Sequence, residues 1–209
     1  MKQKYIFDLD GTLLDGDFKK EKEYFKSVLT TTDSEIFIPK IFTLLEKYES
    51  KFKKYDIDLL SRFMSEQSSV KITPNIIKGW IEYNKDIDNK VIEGAIELLE
   101  YLKTKDKQLV ILTNWFSDTQ KGRLKKSHLN MYFDEVYGGE IYLKPHPQAY
   151  KKACGSIPME LCVMIGDNYK KDIEGARSIG MNAIYFNRKN ERTNDNNAVK
   201  SLRKIKDIY

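Results

Sequence analysis

The stretch IFDLDGT, residues 6–12, decides the fold. The apolar run before Asp8 predicts a buried strand, and two aspartates follow where that strand ends. Asp8 and Asp10 are two positions apart, so in an extended chain their side chains point the same way. Two carboxylates held that close repel each other unless a positive group lies between them. We therefore expect a charged site at the end of this strand, with Gly11 allowing a tight turn beside it.

Working outward from this stretch, the chain alternates between apolar segments and helical patterns. Helix-period segments occur over residues 93–104, 117–127, 147–154 and 170–180. Strands that alternate with helices predict an α/β domain with a parallel sheet. The predicted strands are KYIFDLD (4–10), QLVILTN (108–114), LCVMIGD (161–167), NAIYF (182–186) and the shorter FDEVYGG (133–139).

Residues 16–89 break this alternation, since their apolar residues recur with helical spacing and no convincing strand appears among them. The segment from Gly16 to Asp88 holds 13 basic and 13 acidic residues, so it is neutral and the net charge of +5 lies elsewhere. We expect an α-helical domain inserted over the carboxyl edge of the sheet. Residues 1–15 and 90–209 then form the core domain.

The bulk composition is that of a soluble globular protein. The chain has 209 residues, of which 41% are hydrophobic and 32% charged. Neither an export signal nor an apolar run long enough for a bilayer is visible, so we expect no membrane association. Cys154 and Cys162, the only cysteines, favour a reducing, cytoplasmic location. Basic residues form no nucleic-acid-binding stripe, so we expect no nucleic-acid partner. We expect a monomer or a homodimer.

Polar residues mark the ends of the predicted strands. In open parallel sheets, functional sites lie outside the carboxyl ends of the strands, so these residues should converge. Carboxylates are suitable ligands for Mg²⁺, while a lysine and a hydroxyl suit phosphate oxygens. The residues are Asp8 and Asp10, Thr113 and Asn114, Lys144, and Asp167 and Asp172.

Taken together, DLDGT, LTN, the lysine of KP, and GDNYKKD resemble, in order and spacing, the four motifs of the haloacid dehalogenase-like hydrolase superfamily. The resemblance covers residues 1–15 and about 90–209. It implies a Rossmann-like, three-layer α/β/α core with a parallel sheet. The helical insert over residues 16–89 is similar to the C1-type cap of that superfamily.

The resemblance also implies roles for individual residues. Asp8 is the expected nucleophile, which forms an aspartyl-phosphate. Asp10 is the expected general acid, which then acts as the base that activates water. Thr113 and Lys144 are expected to hold the phosphoryl oxygens, and Asn114 to contribute its backbone N–H.

The same resemblance implies a Mg²⁺ site. The expected ligands are the carboxylates of Asp8 and Asp167 and the backbone carbonyl of Asp10. Asp172 is expected to orient Lys144 or a water bound to the metal. Phosphoryl transfer needs positioning and charge neutralisation more than elaborate covalent chemistry, which agrees with this set of residues.

Asp10 favours one reaction of the superfamily over another. Halide leaves carbon unprotonated, whereas the alkoxide of a phosphate ester needs an acid. A phosphatase is therefore favoured over a dehalogenase. The alternatives are a phosphomutase of the β-phosphoglucomutase type, or a regulatory module without turnover.

The substrate is expected to be a small phosphorylated metabolite, either a sugar phosphate or a nucleoside monophosphate. Residues 112–140, with TN, QKGRL and YFD in order, are similar to superfamily members that include nucleotidases and acyl-sugar phosphatases. The loop Asp15-Gly16-Asp17 departs from the family pattern, in which a small hydroxyl residue commonly follows the acid. Trp115 could line the substrate pocket or serve packing.

Overall fold

The computed structural model describes residues 3–16 and 18–208, and its core is a six-stranded sheet in which all neighbours pair in parallel. The strands are β1 (Lys4–Phe7), β2 (Gln108–Leu112), β3 (Glu135–Tyr137), β4 (Cys162–Gly166), β5 (Asn182–Phe186) and β6 (Ala198–Val199). Their order across the sheet is β3-β2-β1-β4-β5-β6. The predicted α/β class with a parallel sheet is confirmed.

Strand β1 lies in the middle of the sheet because it is apolar on both faces. Phe7 pairs with Ile111 of β2 on one side and with Ile165 of β4 on the other. Successive side chains of a strand point to opposite faces, so Tyr5 and Phe7 enter one hydrophobic cluster and Ile6 enters the other. Helices cover both faces, which gives the expected three layers.

Five α-helices and one short 3₁₀ helix (Ile38–Lys40) occupy the described residues 18–85, and we call them the helical insert. Thr73 caps the last of them by accepting a hydrogen bond from the Ile76 N–H, with Pro74 at its first position. Asp56 caps another in the same way. The insert consists of α1 (Phe18–Val28), α2 (Thr31–Phe37), α3 (Ile41–Lys51), α4 (Ile57–Ser68) and α5 (Pro74–Lys85).

The apolar faces of the insert pack into a hydrophobic cluster of their own. Phe25, Leu60 and Trp80 lie inside it, and Phe116 and Leu143 reach it from the α/β core. The insert therefore rests directly on loops at the carboxyl edge of the sheet.

The two chain segments that join the insert to the core run side by side. Leu14 and Val91 form an antiparallel bridge, and the Asp15 N–H donates to the Lys90 carbonyl at 2.9 Å. The insert thus leaves and re-enters the core at neighbouring points. Asp17, part of the unusual loop noted in the sequence, lies outside the described residues.

The remaining helices flank the sheet and follow the predicted segments closely, with one exception. The helix expected over residues 170–180 is a π-helical segment, Tyr169–Glu174, continued by a short α-helical turn. Strand β6 was not predicted, because two residues are too few to produce a pattern. The core helices are α6 (Ala95–Thr104), α7 (Ser117–Lys126), α8 (Pro147–Cys154) and α9 (Gly175–Arg177).

Among the helices of the described ranges, 3–16 and 18–208, none combines the length and the apolar character needed to cross a membrane.

Candidate active site

A cavity of about 590 Å³ lies between the carboxyl edge of the sheet and the helical insert. It forms there because β1, β2 and β4 end side by side, while the insert rests on the loops that follow them. The cavity walls include all seven positions that the sequence singled out: Asp8, Asp10, Thr113, Asn114, Lys144, Asp167 and Asp172.

Lys144 is a buried positive group beside Asp8, but it bridges Asp8 to Asp172 and not to Asp10. Its Nζ donates to Asp8 Oδ1 at 2.7 Å and to Asp172 Oδ1 at 2.6 Å, and its side chain is 3% exposed. The second oxygen of Asp172 accepts a hydrogen bond from the Asn168 N–H at 2.9 Å. Asp172 therefore has both oxygens engaged and holds Lys144 against Asp8.

Burial and the charged neighbours around Lys144 shift several pKa values. Burial, together with the nearby Asp172 and Asp167 carboxylates, raises the pKa of Asp8 to about 8 although Lys144 opposes the shift. Burial and Asp172 likewise raise the pKa of Asp167 to about 6. Burial alone would lower the pKa of Lys144, but Asp172 and Asp8 outweigh it and raise that pKa. Three carboxylates thus crowd around one ammonium group.

The donor set at this point fits a hard divalent cation. One carboxylate oxygen from each of Asp8, Asp167 and Asp172 lies within 4.8 Å of the others. Since Asp172 is committed to Lys144 and the Asn168 N–H, Asp8 and Asp167 are the better placed ligands. Gly11, with φ of +84°, passes so close that a Cβ there would overlap the Asp167 carboxylate.

Asp10 lies in a different environment from Asp8. Its Oδ1 pairs with Arg123 Nη2 at 2.6 Å, and its Oδ2 accepts from Gln120 Nε2 at 2.9 Å. Burial tends to raise the pKa of Asp10, but the charge and hydrogen bond of Arg123, with that of Gln120, outweigh it and lower the pKa. Asp10 is therefore a carboxylate with a fixed orientation.

Arg123 connects Asp10 to the base of the helical insert. Its Nη1 donates to Gln120 Oε1 and its Nε to Asn89 Oδ1, both at 2.8 Å. Asn89 lies in one linker of the insert, and its Nδ2 donates to the Asp15 carbonyl of the other linker at 3.0 Å. Sequence reasoning assigned no role to Gln120 or Arg123. Their i, i+3 spacing, which puts them on one face of α7, is the signal that could have found them.

Thr113 and Asn114 follow β2 and approach the site from a third side. Thr113 Oγ1 accepts from Gln120 Nε2 at 3.0 Å, so the same glutamine orients Thr113 and Asp10. The Asn114 side chain binds the backbone of Lys144: its Oδ1 accepts from the N–H at 2.7 Å, and its Nδ2 donates to the carbonyl at 3.0 Å. Asn114 therefore fixes the loop that carries Lys144.

The helical insert contributes Glu49 to the cavity, a residue that sequence reasoning missed. Glu49 Oε2 accepts from Lys171 Nζ at 2.6 Å and from Asn114 Nδ2 at 3.1 Å, and its Oε1 accepts from the Tyr55 hydroxyl at 2.8 Å. The bonds to Lys171 and Asn114 join α3 of the insert to the π-helical segment and to the loop after β2 in the core. No local sequence signal points to Glu49, because its partners are far away in the chain.

Glu21 is a second acid that the insert places in the cavity wall. It accepts a hydrogen bond from Asn84 Nδ2 at 3.1 Å, which joins α1 to α5. Burial and the neighbouring Asp10 charge raise the pKa of Glu21 to about 7, although Arg123 opposes the shift.

The protein has an α/β fold, with paired aspartates at the end of its first strand and a buried lysine between two acids. These features together are typical of one class of enzyme. Comparison with known proteins agrees, since the family model of the haloacid dehalogenase-like hydrolases matches residues 5–180. The chain belongs to the haloacid dehalogenase-like hydrolase family, as its motifs indicated.

Two characterised relatives cover most of the chain. The pyrimidine 5'-nucleotidase PynA of Streptococcus pneumoniae is 28% identical over 200 residues, 87% of this chain and 82% of that protein. The glyceraldehyde 3-phosphate phosphatase of Pyrococcus furiosus is 27% identical over 193 residues, 87% of this chain and 79% of that protein. With the family, these relatives identify the chain as a phosphatase, a hydrolase acting on phosphate esters.

The fold itself matches solved structures. The putative HAD-hydrolase YfnB of Bacillus subtilis superposes with a TM-score of 0.73 at 21% identity, over 100% of this chain and 99% of that one. This likeness confirms the Rossmann-like core.

Proposed function

We propose that this phosphatase is Mg²⁺-dependent and hydrolyses a sugar phosphate or nucleoside monophosphate through an aspartyl-phosphate on Asp8. The observation that carries the proposal is the contrast between the two aspartates at the end of β1. Asp8 faces a buried lysine, whereas Asp10 is held apart by Arg123 and Gln120. Two carboxylates in different environments can perform two different tasks.

Asp8 is the nucleophile in this proposal. Lys144 holds its carboxylate at 2.7 Å and, with Thr113 and the backbone N–H of Asn114, binds the phosphoryl oxygens. Asp172 keeps Lys144 in place. As negative charge moves onto the transferring group, these fixed donors stabilise it without having to reorganise.

Asp10 is the general acid and base. It gives a proton to the leaving oxygen in the first step and takes one from the attacking water in the second. Arg123 and Gln120 are its positioning residues, since both bind its carboxylate. A phosphate anion arriving beside Asp10 counteracts the Arg123 charge and favours the protonated form that the first step needs.

Mg²⁺ fits the acidic cluster, where Asp8, Asp167 and the Asp10 carbonyl would hold it. When bound, it offsets the negative charge of the phosphate and of the surrounding carboxylates. Asp172 faces Lys144 and the Asn168 N–H, so its role is to support the lysine.

The helical insert over residues 16–89 is proposed to act as a cap domain on the core of residues 1–15 and 90–209. Its own hydrophobic cluster and its paired linkers support this division. Glu49 binds Lys171 and Asn114 across the boundary, so the cap is held over the cavity, where it would limit the access of water.

The size of the substrate is supported by the cavity and by the relatives. A cavity of about 590 Å³ accommodates a small metabolite. One relative is named for a pyrimidine nucleotide and the other for a triose phosphate. Both are small phosphorylated molecules, which agrees with the proposed substrate class.

A metabolite panel tests the proposal. Wild-type protein, Asp8→Asn and Asp10→Asn are assayed for phosphate release from sugar phosphates and nucleoside monophosphates, with and without Mg²⁺. We expect turnover only with Mg²⁺, none in Asp8→Asn, and a severe loss in Asp10→Asn. Unchanged turnover in Asp8→Asn contradicts the proposal. Phosphoryl transfer to a second sugar hydroxyl instead of water indicates the phosphomutase alternative.

A further inference from the structure

The loop that carries Lys144 is bound by the helical insert as well as by the core. The Leu143 N–H, one position before the lysine, donates to the Lys53 carbonyl at 2.7 Å. The Tyr55 N–H donates to the Gly139 carbonyl at 2.8 Å. Lys53 and Tyr55 lie in the connection between α3 and α4. The insert thus holds the backbone of the segment that leads to the lysine at two points.

Glu49 adds a side-chain contact to the same loop. Its Oε2 accepts from Asn114 Nδ2 at 3.1 Å. The same amide binds both backbone groups of Lys144, accepting from the N–H at 2.7 Å and donating to the carbonyl at 3.0 Å. An amide nitrogen has two N–H donors, so Asn114 can serve Glu49 and the lysine backbone together. Glu49 therefore acts on the backbone of Lys144 through one intermediate side chain.

Glu49 also contacts the segment that holds the other end of Lys144. Lys171 Nζ donates to Glu49 Oε2 at 2.6 Å. Lys171 directly precedes Asp172, whose Oδ1 accepts from Lys144 Nζ at 2.6 Å. One carboxylate of the insert therefore joins two core segments, one that fixes the backbone of the lysine and one that fixes its ammonium group.

The Glu49 carboxylate is itself held in one orientation. Its Oε1 accepts from the Tyr55 hydroxyl at 2.8 Å, and the buried Tyr55 ring stacks on Tyr48 with centroids 5.2 Å apart. The Glu49 side chain is mostly buried. A carboxylate with three hydrogen bonds and little exposure is fixed in place, as a group that positions another must be.

We propose that Glu49 is a positioning residue for Lys144: by joining Asn114 to Lys171, it fixes the lysine that binds the phosphoryl group. Glu49 acts through these two side chains and does not touch the substrate. The inference rests on the proposed phosphatase function, in which Lys144 binds the phosphoryl oxygens, and it adds a residue of the insert to that machinery.

Charge alone predicts the opposite result from positioning, so the two effects can be separated. Removing the Glu49 carboxylate takes a negative charge from the cavity wall and leaves Lys171 without that partner. By Coulomb's law, this change strengthens the binding of an anion such as phosphate. Loss of the positioning of Lys144 weakens the binding of the same anion.

The first test compares two variants that lose the same charge. Glu49→Met removes the hydrogen-bond acceptors at similar size, whereas Glu49→Gln keeps an acceptor oxygen. We expect kcat/KM to fall about 10-fold in Glu49→Met and less than about 3-fold in Glu49→Gln, because the bonds to Asn114 and Lys171 survive in the second variant. Equal losses in the two variants, or no loss in Glu49→Met, overturn the proposal.

Glu46→Met is the matched control. Glu46 lies on α3 three positions before Glu49, lines the same cavity and is exposed. The variant removes the same charge from the same helix, so its kcat/KM should stay at or above the wild-type value. A fall equal to that of Glu49→Met overturns the proposal.

The second test varies the leaving group. Lys144 is proposed to bind the phosphoryl group, which all esters share, so the loss in Glu49→Met should not depend on the rest of the substrate. Two esters that the wild type hydrolyses, such as phenyl phosphate and ribose 5-phosphate, should therefore lose kcat/KM by the same factor. A loss confined to one ester makes Glu49 a contact of the leaving group and overturns the positioning role.

The third test observes Lys144 without turnover, by amide hydrogen exchange measured with NMR. The Lys144 N–H donates to Asn114 Oδ1, whereas the Asp8 N–H donates to the Ile165 carbonyl of the neighbouring strand. In Glu49→Met, exchange of the Lys144 N–H should be about 10-fold faster, while that of the Asp8 N–H stays unchanged. Unchanged exchange at Lys144, or equal acceleration at both sites, overturns the proposal.

Calorimetry with inorganic phosphate and Mg²⁺ completes the comparison. We expect weaker phosphate binding to Glu49→Met than to the wild type, and tighter binding overturns the proposal. If hydrogen exchange follows the expected pattern while Asp8→Asn matches the wild type in turnover, the proposed function fails and the positioning of Lys144 stands. If Asp8→Asn is inactive while exchange at Lys144 is unchanged in Glu49→Met, the proposed function stands and the positioning role fails.

Discussion

Arg123→Met tests how the proposed acid is held. Arg123 makes the 2.6 Å ion pair with Asp10, and methionine fills a similar volume without the charge or the N–H donors. In the variant, Asp10 keeps only the 2.9 Å hydrogen bond from Gln120, and Gln120 itself loses the support of Arg123. We expect the carboxylate to rotate more freely and to spend less time in its productive orientation.

The structure sets the size of this effect. A positioned acid or base contributes about 10²- to 10⁴-fold to a rate, and one of the two groups that hold Asp10 survives. We therefore expect kcat/KM to fall by about 10- to 100-fold. Removing one partner of a fully buried pair costs about 3–5 kcal/mol, but the Asp10 side chain is 38% exposed. After this discount, the free energy of unfolding should fall by about 1–3 kcal/mol.

The assay compares two aryl phosphates whose leaving groups differ in acidity. Phenyl phosphate needs protonation of its leaving oxygen more than 4-nitrophenyl phosphate does, so kcat/KM should fall further for phenyl phosphate in Arg123→Met. Arg203→Met is the control, since Arg203 pairs with Glu93 and Glu97 on the surface. Equal losses for the two esters, or no loss, would refute the assignment of Arg123 as the residue that positions the acid.

Three further predictions concern the charged cluster. Lys144→Met should abolish turnover and lower the free energy of unfolding, measured in urea, by about 3–5 kcal/mol, because Asp8 and Asp172 lose their buried cation. An unfolding free energy close to that of the wild type contradicts this. Mg²⁺ should raise the Tm of the wild type but not of Asp167→Asn, and an equal rise in both excludes Asp167 as a ligand. Gly11→Ala should lower the free energy of unfolding by about 1–2 kcal/mol and remove the rise in Tm with Mg²⁺, because the alanine Cβ would overlap Asp167 and φ at this position is +84°. A variant with the stability and the Mg²⁺ response of the wild type contradicts this reasoning.

The sequence predicted the core well because the signals there are local. Strand β5 agrees residue for residue, whereas β1, β2, β3 and β4 are each shorter than predicted. Strand ends in a parallel sheet meet at one edge, so Asp8, Lys144 and Asp167 could be placed in one site from a one-dimensional pattern.

The missed residues depend on contacts between distant parts of the chain. Glu49 reaches Lys171 across 122 positions of the chain, and Arg123 on α7 reaches Asp10, which follows β1. The contacts of Glu49 form only once the insert has folded onto the core, and the ion pair of Arg123 forms only once α7 and the end of β1 have come together within the core. The π-helical segment was also missed, because its apolar residues fit an α-helical pattern equally well. Such segments commonly occur at functional sites, and this one carries Asp172.

The central claim is that Asp8 forms a covalent phosphoryl intermediate, and rapid quenching tests it most directly. Wild-type protein is mixed with Mg²⁺ and a phosphate ester that it hydrolyses, and the reaction is quenched in acid within the first turnover. The peptides of the protein are then analysed by mass spectrometry. We predict one phosphoryl group on the peptide containing residues 6–12, assigned to Asp8, and none in Asp8→Asn. A phosphoryl group on another residue, or full turnover by Asp8→Asn, would contradict the account.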